Sequence, residues 1–193
     1  MDTLLHAQMA GSTFEDESDE AIVTRALTEP DAFTLLYRAN ALDVYRYCYR
    51  RLQDREAAED ATSQTFMNAY AGLRRLGNKP FRPWLYAIAH NVVVDAHRAR
   101  RPLLPLDATT ALEAPTPLPE ELAIDHERRD VIRLVLQQLP KRDRDVVELR
   151  LAGLSGQEIA ETLQCSHQAV RAAHYRAVQR IRELLENEGM MDR

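Results

Sequence analysis

Apolar side chains return at three- and four-residue intervals along most of this chain, the repeat that gathers them on one face of an α-helix. The first such run is DEAIVTRAL from Asp19, and Pro30 starts a longer helix that reaches about Leu52. Along it Phe33, Leu36, Tyr37, Val44, Cys48 and Leu52 fall on one side. Asp54 stands where it can cap a third helix, whose buried stripe is Ala58, Ala61, Thr65, Phe66, Ala69 and Leu73, with Gly77 as its stop. A short loop, Gly77-Asn78-Lys79-Pro80, leads into FRPWLYAIAHNVVVDAHRARR, where Pro83 suits a first helical turn. Leu85, Ile88, Ala89, Val92 and Ala96 face inward there, while Ala87, Asn91, Val94 and Arg98 line the other side.

The repeat fails over residues 102–124. Pro102, Pro105, Pro115, Pro117 and Pro119 rule out a continuous helix, and the intervening acids favour solvation, which predicts a linker. Helicity resumes near Asp125, with Val131, Ile132, Val135, Leu136 and Leu139 on one face. Pro140 restarts the chain into a helix through Val146 and Leu149, and Gly153 closes it. No strand and no internal repeat is predicted. The expected fold is all-α: two small helical domains, 18–101 and 125–188, joined by a flexible linker, with an acidic disordered tail over 1–17 and a short tail over 189–193.

Within the second domain, SGQEIAETLQCSHQAVRAAHYR (155–176) has the form of a helix-turn-helix. Ser155 and Glu158 make an S-x-x-E capping box, and Ser166 can cap the second helix after a break at Gln164-Cys165-Ser166. That helix carries the stripe Val170, Ala173, Ala177, Ile181 and Leu184. Ala160 lets the two helices cross closely and Val170 fills the angle between them, which presents the front of the second helix to a DNA major groove. An ordinary helical hairpin would share this pattern.

The net charge of -5 argues against nucleic acid only until it is divided along the chain. Residues 1–31 carry one basic and eight acidic side chains, residues 32–101 twelve and six, residues 102–130 two and seven, and residues 131–193 ten and nine. The acidity therefore lies in the tail and linker, and the first helical block is basic, as binding to a polyanion requires. Cys48 and Cys165 match neither a zinc nor a disulfide spacing, and the six histidines are scattered. No Gly-rich phosphate loop or nucleophile constellation is present, so neither an enzyme nor a metal or cofactor protein is expected. No apolar run is long enough to span a bilayer and the start lacks signal-peptide character, which predicts a cytoplasmic protein without membrane insertion.

Taken together, the segments resemble a bacterial RNA polymerase sigma factor of the extracytoplasmic-function class, which keeps only regions two and four. The resemblance spans residues 19 to about 187. It is carried for region two by AFTLLYR (32–38), REAAEDATSQTFMNAY (55–70) and the helix at 81–101, and for region four by LPKRDRDVVELRLAGLSGQEIAETLQCSHQAV (139–170). It implies docking on the beta-prime clamp coiled coil of core RNA polymerase through Glu59, Asp60, Ser63, Gln64 and Phe66, and a second contact to the beta flap. It implies that the next loop and helix melt the minus-ten element and read it as single-stranded DNA through Leu76, Gly77, Asn78, Lys79, Asn91 and Arg98, with Asn91 as the base-pocket residue. The helix-turn-helix would hold the minus-thirty-five duplex through Ser166, His167, Gln168, Arg171, Tyr175 and Arg176. Gln168 and Arg171 suit base edges there, and Arg176 and the amides near Ser166 suit phosphates. An anti-sigma factor that clamps the two domains is a further implied partner, and nucleoid association would follow polymerase binding.

The chain departs from the family pattern at several positions. Ser63-Gln64 replaces Gln-Glu, Leu76 replaces an aromatic, Ala172-Ala173 replaces Ser-Arg, His174 replaces Leu, and Gln164 replaces a turn glycine. These changes imply an altered promoter preference or weaker upstream binding. A stand-alone helix-turn-helix regulator is the alternative; it would bind duplex DNA without polymerase, whereas a sigma factor binds it poorly until joined to the core enzyme.

Overall fold

A computed structural model describes residues 18–99 and 134–187. The expectations for the tails and the linker, for Arg100 and Arg101, and for Val131 and Ile132 fall outside these residues. Among the described residues there is no strand, as the all-α reading requires, and no helix long and apolar enough to cross a membrane.

The first block is built from α1 (Asp19–Ala26), α2 (Phe33–Leu52), α3 (Arg55–Gly72) and α4 (Phe81–Ala99). A 3₁₀ turn over Pro30–Ala32 feeds α2, as the fixed φ of proline favours. Asp54 caps α3 by accepting from Ala57 N at 2.7 Å, and a second 3₁₀ turn, Leu73–Arg75, tightens the exit from α3. Gln53 ends α2 in the left-handed region at φ 56, a conformation ordinarily taken by glycine. The stripes on α2, α3 and α4 meet in a core that includes Leu36, Val44, Phe66, Leu85, Ala89 and Val93.

Several side chains sit differently from the helical-face reading, among them Val93 and Phe81, which are fully buried although they lie off the inward face expected for α4. Tyr47 and Tyr86 are fully buried and meet edge-on at 5.6 Å between centroids, because α2 and α4 are covered over more than one narrow face. Tyr37 is exposed at its edge, although its ring packs against Phe66 at 4.8 Å.

In the second block residues 134–137 are helical and are followed by α5 (Lys141–Leu151), α6 (Gly156–Thr162) and α7 (His167–Asn187). Val135, Leu136, Leu139, Val146 and Leu149 are buried as the periodicity requires. So, unexpectedly, are Asp143, Asp145 and Glu148.

Two of those acids, Asp145 and Glu148, help to explain how the blocks sit. The buried apolar residues of the first block continue without a break into Val146, Leu149, Leu154, Ile159, Ala160, Val170 and Ala173 of the second. Across this seam Arg50 Nε donates to Glu148 at 2.7 Å and Arg51 pairs with Asp145. Arg82 Nη2 donates to the Ala152 carbonyl at 2.8 Å, and Thr162 Oγ1 donates to the Pro83 carbonyl at 3.2 Å. The helices read as two separate domains pack into one body.

Candidate nucleic-acid interface

The loop between α3 and α4 is shaped by two residues. Leu76 is buried at 2 % exposure and anchors the loop in the core, so its side chain is not on the surface as the minus-ten reading supposed. Gly77 turns the chain at φ 60, where a Cβ would meet no neighbour but would strain the backbone. Asn78, Lys79 and Pro80 are exposed beyond it.

Asn91 lies on the exposed side of α4. It shares with Asn78, Lys79, Trp84 and His90 a cleft of about 680 Å³ whose far wall is Glu161 and Gln164 of the second block. On the other side of Trp84 a smaller hollow of about 330 Å³ is bordered by Asn68, Arg75, Asn91 and Asp95. Trp84 is half-buried; its ring lies so close to Gly72 that a Cβ there would come within 3.2 Å of it. The first block thus brings an amide, an aromatic edge and a lysine to one cleft, the set a strand of unstacked bases requires. Arg98 stands apart at the end of α4, exposed and paired with Asp95 at 3.2 Å.

His90 belongs to the floor of that cleft. Its Nδ1 is 3.1 Å from the Tyr47 hydroxyl. Burial lowers the pKa of His90, while Asp145 opposes and Arg51 and Lys141 reinforce that shift. Burial also pushes the Tyr47 phenol and the Cys48 thiol up, the thiol to about 11.

The helix-turn-helix forms with both bonds of its capping box: Glu158 N donates to Ser155 Oγ at 3.3 Å and Ser155 N donates to Glu158 Oε2 at 2.6 Å. Gln164 turns the chain at φ 50, letting Cys165 N reach the Ala160 carbonyl at 2.9 Å. Ser166 caps α7 by accepting from Ala169 N at 3.1 Å. Beyond the cap, His167, Gln168, Arg171 and Tyr175 are exposed, with Val170, Ala173 and Ala177 buried behind them and His174 half-buried. Arg176 is not a free cation: Nη2 and Nε bind Asp143 at 2.6 and 3.2 Å, tying α7 to α5.

Glu59, Asp60, Ser63 and Gln64 form an exposed polar strip on α3. Glu59 accepts from Arg55 at 2.8 Å and Gln64 donates to Asn68 at 2.8 Å. Phe66 is buried against Phe33 and Tyr37; the apolar groups open to a partner on this side are Met67, Tyr70 and the edge of Tyr37. Their one-sided exposure was the signal available in the sequence, because Met67 and Tyr70 fall off the stripe that contains Phe66.

Known proteins resemble this chain in sequence and in fold. Residues 36–102 match the Sigma-70 region 2 family model and residues 129–181 the Sigma-70, region 4 model. The ECF RNA polymerase sigma factor BldN of Streptomyces coelicolor is 33% identical, over 89% of this chain and 69% of its own length. SigW of Bacillus subtilis, also an ECF RNA polymerase sigma factor, is 30% identical over 81% of this chain and 90% of its own. Among solved structures, CnrH in complex with the cytosolic domain of CnrY superposes with a TM-score of 0.71 at 22% identity, covering 89% of this chain and 99% of that one. The sigma factor RpoE in complex with the anti-sigma factor NepR, from Bartonella quintana, gives 0.61 at 19% identity, covering 83% and 98%. At these identities the two structures establish likeness of fold.

Proposed function

The chain belongs to the extracytoplasmic-function class of RNA polymerase sigma factors, DNA-binding transcription-initiation factors, and from that premise we propose how its residues divide the work. The cleft around Asn91 takes a base of the melted minus-ten strand, with Asn91 on its polar edge, Trp84 beside it and Lys79 on the phosphates. The exposed front of α7 takes the minus-thirty-five duplex, with Gln168 and Arg171 at base edges and Tyr175 alongside. The Ser166 cap directs the first amides of α7 toward a phosphate. Arg176 acts indirectly, by fixing the angle between α5 and α7.

The strip Glu59, Asp60, Ser63 and Gln64, with Met67 and Tyr70, docks on core polymerase. The protein works in the cytoplasm by binding and strand opening, without covalent chemistry. An anti-sigma factor is its regulatory partner, as for the RpoE protein solved with NepR. The observation that carries this reading is the convergence of Asn91, Lys79 and Trp84 on one cleft.

The test is run-off transcription by core polymerase with this chain over a panel of candidate promoters. Initiation that requires the chain and fails with Arg171→Ala at promoters keeping the upstream element supports the assignment. Tight duplex binding without polymerase, and no initiation at any promoter, would favour a stand-alone regulator.

A further inference from the structure

The first half of α7 carries two arginines in different states. Arg171 projects outward beside Gln168. Arg176 directly follows Tyr175 and lies about a quarter of a turn around the helix from Gln168. That is the flank of a helix laid in a major groove, where a phosphate passes rather than a base edge. The Arg176 side chain is 55 % exposed, so DNA can reach it. Its guanidinium is nonetheless occupied. Nη2 and Nε donate to the two carboxylate oxygens of Asp143, and the Asp143 side chain is only 5 % exposed.

That asymmetry decides which partner holds the arginine. A phosphate that took Arg176 would leave the Asp143 carboxylate shielded from water. No other hydrogen bond or ion pair reaches Asp143 among the described residues, and only the N-terminus of α5, in whose first turn it stands, offsets its charge. Stranding a buried carboxylate is far more costly than leaving an exposed guanidinium in water. The exchange therefore runs against DNA. The pair is also neutral as a whole, so the cation adds little to the attraction that this flank exerts on a polyanion.

We propose that Asp143 is a positioning residue that withholds Arg176 from the DNA backbone and so keeps the upstream duplex contact one phosphate weaker than the residues of α7 allow. The inference rests on the assignment of that duplex to the front of α7 and adds the carboxylate that limits its strength. The bond that fixes α5 against α7 is the same bond that takes the charge away.

A phosphate contact carries no sequence information, so the probe is a short fluorescein-labelled DNA duplex of random sequence. Its binding to the full chain is followed by anisotropy over a salt series. Asp143→Asn should steepen the fall of log affinity with log salt by about 0.9 and raise affinity about eightfold at about 0.1 M salt, the effect of releasing one more counterion. Arg176→Gln should leave the wild-type slope unchanged and erase the gain of Asp143→Asn. Glu183→Gln adds the same unit of charge about two turns further along α7, where Glu183 pairs with Arg180, and should steepen the slope less.

Circular dichroism checks that each variant keeps its helices. If Asp143→Asn does not, Arg176→Lys takes its place: the ammonium keeps the charge without the two-pronged grip, and a smaller steepening in the same direction is expected. An unchanged slope in the variant that folds, no measurable binding by it, or a steepening that survives Arg176→Gln overturns the proposal. Weaker binding by Asp143→Asn also overturns it, by showing that the pair aims Arg176 at the DNA. Arg171→Ala tests the assignment beneath. Reduced binding keeps the duplex on α7 whatever Asp143 does, and unchanged binding means that the assignment has failed and the inference with it.

Discussion

Arg51 on α2 donates through Nη1 to Asp145 on α5, a pair 94 residues apart in the chain and almost wholly shielded from water. Neither residue advertises a partner in its own helix, yet together they set where the second block rests on the first. The pair is useful only as a pair. Asp145→Ala leaves a guanidinium facing the seam with no counter-charge, whereas Arg51→Met with Asp145→Leu replaces both by apolar groups of similar size. Urea unfolding should give a coupling energy of about 1–3 kcal/mol between the sites, with the double variant near wild type. Equal losses in the single and double variants would show that the pair does not hold the seam.

Stability should fall on mild acidification because of His90. Its pKa is lowered from 6.5 in the fold by burial. The unfolded chain therefore takes up the proton first, so the contribution is complete above about pH 6.5 and is lost as pH drops toward the lower folded value. Comparing unfolding midpoints at pH 7.5 and 5.5 should show a smaller acid loss in His90→Gln than in wild type. An identical loss in both proteins would remove His90 from the account.

Gln164 holds a left-handed φ of 50 that glycine adopts without strain. Gln164→Gly should raise unfolding stability by about 0.5–1 kcal/mol, the strain relief outweighing the added freedom of the unfolded chain. A lower melting temperature would mean that the glutamine side chain contributes more to the turn than its backbone costs.

The two cysteines should differ in reactivity. Cys48 is buried, with its thiol raised to about 11 by burial, while Cys165 is half-exposed in the helix-turn-helix break. Mass spectrometry after alkylation of the native protein at pH 8 should find one label per chain, at Cys165. Prompt labelling of Cys48 would show that the first block opens more readily than its packing implies.

What the sequence made legible was local. Caps at Asp54, Ser155 and Ser166 and the stripes of α2, α3 and α7 follow from neighbours three and four residues away, and they appear in the fold except that Tyr37 on α2 is exposed and Ile181 on α7 only half-buried. The positive φ at Gln164 was readable because the position usually holds glycine. The failures were all non-local. KRDRDVVELR looks like a solvated helix, and Asp143, Asp145 and Glu148 are buried in it only because Arg176, Arg51 and Arg50 arrive from other helices. Leu76 and Phe66 were assigned to interfaces by resemblance, yet both side chains support the surface from beneath. Arg176 likewise has the charge for a phosphate but is committed to Asp143. Residue type gives the chemistry available at a position, and the partner decides whether that chemistry faces outward.

The most direct test of the central claim is permanganate footprinting of a promoter opened by the holoenzyme carrying Asn91→Ala, with affinity for core polymerase measured in parallel. If the cleft at Asn91 reads the melted minus-ten strand, thymine reactivity at that element falls sharply while core affinity is unchanged. Wild-type reactivity, or an equal fall in core affinity, would contradict the assignment.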